Sequence, residues 1–92
     1  LSAVTREMNI IVDEDVSHQT LLDWMPLGPA RYLAEVKLNS IYRGKGLESG
    51  KKAMHYSFIY RHPERTLRDE EVNKIQEKLA SELGKNPAVS FK

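Results

Sequence analysis

The side chains of this sequence best suited to chemistry are the Lys and Arg residues of its middle third, and that chemistry is anion binding. Residues 37–68 carry eight basic and two acidic side chains, whereas residues 1–36 carry two basic and six acidic ones. Lys51, Lys52, Arg61 and Arg65 flank a short apolar and aromatic run within this stretch. Clustered cations indicate a polyanion such as a nucleic acid, provided that folding leaves them on one surface.

Other residue patterns favour no catalytic or metal chemistry. The sequence has no cysteine, so it offers no thiolate nucleophile, disulfide or sulfur ligand. His18, His55 and His62 are too scattered to predict a zinc site, and no Ser, His and Asp can be placed in one pocket. The segment GKGLESGKK lacks the Gly-Lys-Ser/Thr ending of a phosphate loop, so it is interpreted as a hairpin tip. We therefore predict no catalytic residue, metal or cofactor in this chain.

Length and composition predict one domain spanning residues 1–92. The chain is 40% hydrophobic and 29% charged, values of an ordinary globular domain rather than a disordered or fibrous chain. No apolar run approaches the roughly 18 to 20 residues that cross a bilayer, and we see no secretory signal, so we expect no membrane association and a cytoplasmic location. The first residue is Leu1 rather than Met, and we expect the chain to be a piece of a longer one.

Hydrophobic periodicity predicts four strands and two helices. Alternating apolar residues predict strands around MNIIVDED, from Leu33 to Arg43, from Met54 to Tyr60, and around Val89 to Phe91. A short helix follows Ser17, whose hydroxyl can cap its first turn. The longer helix lies in TLRDEEVNKIQEKLASELG, where Thr66 and Asp69 have the spacing of a capping box and Gly84 follows the last turn.

The order of these elements predicts the fold class. A β-α-β-β-α-β order is typical of an α+β ferredoxin-like βαββαβ sandwich, in which a four-stranded antiparallel sheet carries two helices on one face. Each helix has one apolar stripe to bury, so both must cover the same sheet face. The opposite face of the sheet is expected to be open.

This topology is expected to divide the basic residues between the two ends of the sheet. The glycine-rich connection shares an end with three acidic residues, Asp13, Glu14 and Asp15, which can neutralise Lys45, Lys51 and Lys52. The opposite end collects Arg6, Arg31, Arg61, His62, Arg65 and Lys92, with Glu7 and Glu64 as the nearby acids. This second end is therefore predicted to be the better anion site.

The open face supports two interpretations equally. Alternation places the third strand's Ala53, His55, Ser57, Ile59 and Arg61 there, and the aromatic residues of that strand face the helices. The stacking aromatics by which many RNA-binding sheets hold bases are thus missing. The face is expected either to dock another domain through Ile11, Ile41 and Ile59 or to make weak RNA contacts.

Several motifs are specific as a set through their order and spacing. The sequence contains AVTREMNIIVDEDV, then IYRGKGLESGKK, then HPERTLRDEEVNKIQEKL and a basic last residue. In these features it resembles the ferredoxin-fold anticodon-binding domain at the C-terminus of phenylalanyl-tRNA synthetase beta chains. The resemblance implies a module that contacts the anticodon stem-loop of tRNA(Phe) during protein biosynthesis. It also implies that ATP, Mg²⁺ and phenylalanine are handled by other parts of an α2β2 enzyme, with the alpha subunit and other beta-chain domains as partners.

The motif positions differ in how closely they match that family. Agreement is found at Tyr42, Gly44, Gly50, Lys51, Pro63, Arg65, Thr66 and Leu67. This sequence differs from the family pattern at four places. It has Glu7 where the family has Asp, Asn39-Ser40 where the family has Phe-Asp, Ala53 where the family has Ser, and Lys92 where the family has Arg. The missing acid at Ser40 removes any charge pairing that the family builds there.

Some of the matching residues are explained by their roles in turns and caps. The basic residues that remain are candidates for contacts with RNA phosphates. These candidates are Arg6, Lys51, Lys52, Arg61, Arg65 and Lys92. Such contacts set affinity and position, while bases need separate contacts.

The alternative function is a ferredoxin-like protein-interaction or small-ligand regulatory domain of the ACT type. The segment VDEDVSHQT argues against it, because the turn after the first strand is acidic and has no glycine to receive an amino-acid carboxylate.

Overall fold

The computed structural model describes residues 2–92, which form one four-stranded sheet and two helices. The elements are β1 (Val4–Asp13), α1 (His18–Trp24), β2 (Leu33–Tyr42), β3 (Lys51–Tyr60), α2 (Asp69–Leu83) and β4 (Ser90–Phe91). The strand order is β2-β3-β1-β4, and every neighbouring pair is antiparallel. The predicted ferredoxin-like fold is thereby confirmed. Neither helix within residues 2–92 is long and apolar enough to cross a membrane.

The core lies between the sheet and the helices and is centred on β3. Met54, Tyr56, Phe58 and Tyr60 are fully buried, as the period of two in their sequence predicted. They share one apolar cluster with β1 and with both helices, whose buried members include Leu21 of α1 and Leu79 of α2. Both helices therefore cover the same face of the sheet.

Two tyrosines are accommodated in this core because their hydroxyl groups have hydrogen-bond partners. Tyr60 donates to Oε1 of Gln76 at 2.6 Å, and the hydroxyl of Tyr56 lies 2.7 Å from Nδ1 of His18. Burial raises the pKa of both Tyr56 and Tyr60 to about 12, so both hydroxyls stay protonated at neutral pH.

The helix starts agree with the sequence only in part. Ser17 caps α1 as predicted, since its hydroxyl accepts a hydrogen bond from the N–H of Thr20 at 3.0 Å. The predicted capping box of Thr66 with Asp69 is wrong, because α2 begins at Asp69 and its N-cap is Arg68. The acid that reaches back is Glu71, whose carboxylate accepts from the Arg68 N–H at 2.7 Å.

Strand β2 departs from simple alternation at two points. Its register against β3 shifts between Leu33 and Glu35 and again between Leu38 and Ser40. An extra residue in one strand of an antiparallel pair reverses the faces of the residues that follow. After the second shift, Tyr42 therefore lies on the open face opposite Ala53, whereas Ile41 lies opposite the buried Met54. The expected place of Ile41 on the open face is wrong.

Glu71 also anchors the segment that joins β3 to α2. The Arg65 guanidinium donates Nη1–H to Oε2 at 2.7 Å and Nη2–H to Oε1 at 3.0 Å. Together with the Arg68 N–H, these bonds hold the pKa of Glu71 at about 2, well below its ordinary 4.5. The ionised carboxylate thus stabilises the folded chain.

Replacing Glu71 by glutamine tests this stabilisation. Because the folded pKa is lower than the ordinary 4.5, the effect is present above about pH 4.5 and is lost as the pH falls toward about 2. We expect Glu71→Gln to lower the free energy of unfolding at about pH 7, and the difference from the parent chain to disappear by about pH 2. Urea unfolding followed by circular dichroism across this pH range measures both quantities.

The matched control is Glu70→Gln, which changes the same charge one residue away. The Glu70 side chain is 69% exposed and its nearest cation is Arg68 at 3.4 Å, so this substitution should have little effect at any pH. A deficit of Glu71→Gln that persists unchanged at about pH 2 would contradict the account.

Candidate nucleic-acid interface

The sheet face opposite the helices carries mostly polar side chains. The strand registers place Glu7 and Asn9 of β1 beside Ser57 and His55 of β3 on this face. Nε2 of His55 lies 2.9 Å from a carboxylate oxygen of Glu7. Asn39, at the second register shift of β2, donates to the hydroxyl of Ser57 at 2.7 Å. These side chains form a connected polar row across three strands.

One end of this face is covered by Tyr42 and Lys92. The ammonium of Lys92 lies 5.8 Å from the centroid of the Tyr42 ring, and the Tyr42 hydroxyl donates to the carbonyl of Lys45 at 2.6 Å. Between Tyr42 and Ile11 in the register, Ala53 is only 5% exposed. Ala53 therefore lies on the open face as predicted, but its neighbours shield it from solvent.

Lys92 lies at the other end of the sheet from the one predicted. Strand β4 has only two residues, so the Lys92 N–H pairs with the carbonyl of Asn9 in the middle of β1 at 3.2 Å. From there the side chain crosses β1 and β3 toward the glycine-rich loop, where a Cβ on Gly46 would lie 3.4 Å from its Nζ. The prediction that Lys92 joins Arg61 and Arg65 is thus wrong.

At the glycine-loop end, acidic side chains pair with Lys51, one of the three lysines expected to be neutralised there, and with Arg43, which was not among them. Nζ of Lys51 lies 2.7 Å from Oδ1 of Asp13, and this hydrogen bond raises the pKa of Lys51. Glu14 binds Arg43 at 2.7 Å, and the bond lowers the pKa of Glu14 and raises that of Arg43. Lys52 lies on the helix side opposite Val12 and is only 6% exposed. Lys51 and Arg43 are thus paired with acids at this end, and Lys52 is buried.

At the opposite end, Arg6 is turned toward helix α2. It lies opposite Phe58 on the helix side of the sheet, and its guanidinium donates to Asn73 at 2.8 Å and to Asp69 at 2.9 Å. Arg65 is held by Glu71. The expectation that Glu7 and Glu64 would be the acids opposing this end is wrong, because the first turn of α2 supplies Asp69 and Glu71 instead.

Arg31 and Arg61 are the exposed cations that remain at this end. Neither guanidinium has a hydrogen bond or ion pair with another side chain in the described part of the chain. Arg61 follows β3 directly, and its backbone N–H donates to the carbonyl of Tyr32 at 2.9 Å. We call the set Arg31, Tyr32, Arg61 and His62 the Tyr32 corner. Its cations were predicted to gather at this end, whereas Tyr32 was not singled out.

Tyr32 was missed because its setting depends on tertiary structure. Its backbone has a φ of 66°, a left-handed conformation that is rare for a bulky residue. The Arg31 guanidinium carbon lies 4.9 Å from the centroid of the Tyr32 ring, and the His62 ring centroid also lies 4.9 Å away at a tilt of 48°. The only hint of this contact in the sequence is that Arg31 and Tyr32 are consecutive residues.

The described residues show no arrangement suited to holding a metal ion. Within residues 2–92, no group of three or more His, Cys, Asp or Glu side chains comes together. The acids that are well placed, such as Asp13, Glu14 and Glu71, are engaged with basic side chains. The arrangement is instead suited to binding an anion through exposed cations beside a polar sheet face.

Comparison with known proteins agrees with the motifs of the sequence. The family model described as "Ferredoxin-fold anticodon binding domain" matches residues 1–92. The chain is 42% identical over 81 residues to the phenylalanine–tRNA ligase beta subunit of Streptococcus mutans, covering 88% of this chain and 10% of that protein. It is 39% identical over 84 residues to the beta subunit of Clostridium tetani, covering 91% of this chain and 11% of that protein.

A third relative, the beta subunit of Halalkalibacterium halodurans, is 37% identical over 81 residues. The chain spans about a tenth of the length of the curated relatives that it matches. The match of the family model over every residue and the identity to these subunits confirm the resemblance found in the sequence. The chain belongs to the ferredoxin-fold anticodon-binding domain family.

Proposed function

We propose that this chain is a tRNA-binding domain of a phenylalanyl-tRNA synthetase beta chain and contacts the anticodon stem-loop of tRNA(Phe). In this proposal residues 1–92 are one domain of a longer cytoplasmic chain that works with an alpha subunit in an α2β2 enzyme. ATP, Mg²⁺ and phenylalanine bind elsewhere in that enzyme, as the family resemblance implies. The domain contributes binding and position, and no bond of the reaction is made or broken on it.

The observation that carries this proposal is that two exposed arginines at one end of the polar sheet face, Arg31 and Arg61, have no acidic partner among residues 2–92. RNA is bound largely through its phosphates, and each phosphate that a protein cation neutralises releases counterions. Arg31 and Arg61 can therefore bind phosphate without first breaking an ion pair.

The six predicted contacts take different places in the proposal. Arg61 is the principal phosphate contact and is joined by Arg31. Lys92 is a secondary contact at the other end of the face. Arg65 and Lys51 are exposed enough to exchange their carboxylate partners for phosphate, because exposed ion pairs contribute only about 0 to 1 kcal/mol. Lys52 is too deeply buried to take part.

Base contacts require groups other than these cations. The polar row of Asn9, Asn39, His55 and Ser57 offers hydrogen-bond donors and acceptors on the sheet face. Tyr42, 48% exposed, adds an aromatic side chain. With Ile41 on the helix side, the apolar docking interpretation of this face loses one of its three isoleucines, and RNA contact becomes the better interpretation.

The regulatory alternative has no observation in its favour. An ACT-type site needs an accessible turn after β1 that can receive a carboxylate, and here Glu14 in that turn is bound to Arg43. A second carboxylate brought to this acidic turn would be repelled.

The double substitution Arg31→Gln and Arg61→Gln tests the proposed phosphate contacts. Each lost contact should reduce the slope of log affinity against log salt by about 1, and the two together should weaken binding about tenfold or more at moderate salt. Fluorescence anisotropy of a labelled anticodon stem-loop of tRNA(Phe), titrated at several salt concentrations, measures both quantities.

The control for this experiment is Lys74→Gln with Lys78→Gln. These lysines lie on α2, away from the open face, and their removal changes the net charge by the same amount. Affinity and salt slope should then stay close to those of the parent chain. Equal losses in the two double variants would indicate a general charge effect and contradict the proposed contacts.

Arg6 is proposed to position α2 on β1 rather than to bind RNA. Both Arg6→Gln and Asp69→Asn should lower the free energy of unfolding by about 0.5 to 1 kcal/mol, because each breaks the same partly exposed pair. Neither should change RNA affinity by more than about twofold, a change of about 0.4 kcal/mol in binding free energy, because neither side chain is proposed to contact the RNA. Urea unfolding and stem-loop binding of both variants provide the measurements. If Arg6→Gln weakened RNA binding while Asp69→Asn did not, Arg6 would be a direct contact.

A further inference from the structure

The Tyr32 corner contains a cluster in which the Arg31 guanidinium and the tilted His62 ring both pack against the Tyr32 ring. The guanidinium carbon of Arg31 lies 4.9 Å from the Tyr32 ring centroid, and the His62 ring packs against the same tyrosine at 4.9 Å. Arg31 is exposed, whereas Tyr32 and His62 are half-buried. The cluster therefore lies at the edge of the core, with the exposed guanidinium of Arg31 as its outermost group.

The backbone holds Tyr32 in the position that makes this cluster. A φ of 66° is unfavourable for a bulky side chain and persists only where the surrounding structure fixes it. Here the carbonyl of Tyr32 accepts the N–H of Arg61, the residue after β3, at 2.9 Å. The ring also packs against the hydrophobic core. The platform under Arg31 is thus ordered before any ligand arrives.

A supported guanidinium plane is suited to one class of ligand in particular. Unpaired RNA bases stack on aromatic rings or on Arg guanidinium planes, and this stacking tolerates any base because every base has a π-face. Arg is suited to this role because its group is planar and weakly hydrated, whereas the ammonium of Lys is a compact point charge. The adjacent Arg61 supplies a cation for the phosphate of the same strand.

We propose that the guanidinium plane of Arg31, supported by Tyr32 and His62, stacks an unpaired base of single-stranded RNA while Arg61 binds a neighbouring phosphate. This inference rests on the proposed function and adds to it a base-binding position outside the sheet face. It assigns to Arg31 a contact that depends on the shape of its side chain as well as on its charge.

A coupling experiment between protein and RNA tests the inference. Stem-loops of tRNA(Phe) are prepared with one loop nucleotide at a time made abasic, which removes the base and keeps its phosphate. Each is titrated against the 92-residue chain, Arg31→Lys, and Tyr32→Asn, whose small side chain tolerates the left-handed backbone. We expect one loop position at which base removal weakens binding to the parent chain about tenfold but changes binding to either variant less than about twofold.

The control is Arg43→Lys, the same replacement at an arginine that is bound to Glu14 at the other end of the sheet. It should show the same abasic profile as the parent chain. Circular dichroism verifies that Tyr32→Asn is folded. Arg31→Lys tests the proposed base contact without any change at Tyr32.

The outcomes separate the inference from the function on which it rests. If the parent chain and Arg31→Lys bind in a salt-dependent manner with identical abasic profiles, the stacking inference is overturned and the tRNA-binding function stands. If Arg43→Lys loses the coupling as Arg31→Lys does, the effect does not belong to the Tyr32 corner and the inference is also overturned. If the parent chain binds none of the stem-loops, both are overturned.

Discussion

The burial of every second side chain of β3 is the constraint on which the rest of this structure depends. Tyr56, Phe58 and Tyr60 are fully buried under the helices, and β3 is paired on both sides by β1 and β2. A shift of one residue would turn this aromatic set to solvent, so the register of the central strands is strongly fixed. The same alternation sends His55 and Ser57 to the open face. The core and the proposed interface are thus two consequences of one pattern.

Acidic side chains then decide which cations are available to a ligand. Asp69 and Glu71 in the first turn of α2 engage Arg6 and Arg65, while Asp13 engages Lys51. Exposed pairs of this kind add little stability, about 0 to 1 kcal/mol each. Their larger effect is on binding, because a paired cation must exchange its partner before it meets a phosphate. Arg31 and Arg61 of the Tyr32 corner are exposed and have no acidic partner among residues 2–92, so they can meet a phosphate without that exchange.

Much of the fold was predictable from the sequence because local patterns determine it. The apolar periodicity of six segments predicted the element order and hence the sheet topology, and the alternation of β3 and the apolar stripe of α2 predicted the buried face. The exchange of faces within β2 was not predictable. The polar residues Asn39 and Ser40 are compatible both with an extra residue that shifts the register and with an unshifted strand that has one polar residue on its apolar side. For the same reason Ile41 was assigned to the wrong face.

The candidate site was less predictable than the fold because it depends on contacts distant in sequence. The sequence located Arg61 correctly at the end of β3. It could not place Lys92, since that depends on β4 having only two residues. The pairing of Arg6 with Asp69 joins residues 63 positions apart, and the left-handed Tyr32 depends on a bond to the end of β3. Such features follow from packing.

The most direct test of the central claim is a two-dimensional NMR titration of the isotope-labelled chain with the anticodon stem-loop of tRNA(Phe). The account predicts that the largest amide shifts occur at Arg31, Arg61 and the open-face residues His55 and Ser57, and that they diminish as salt is raised. The amides of Lys74 and Lys78 on α2 should remain unchanged. Shifts confined to α2 or to the glycine-rich loop, with Arg61 unaffected, would contradict it.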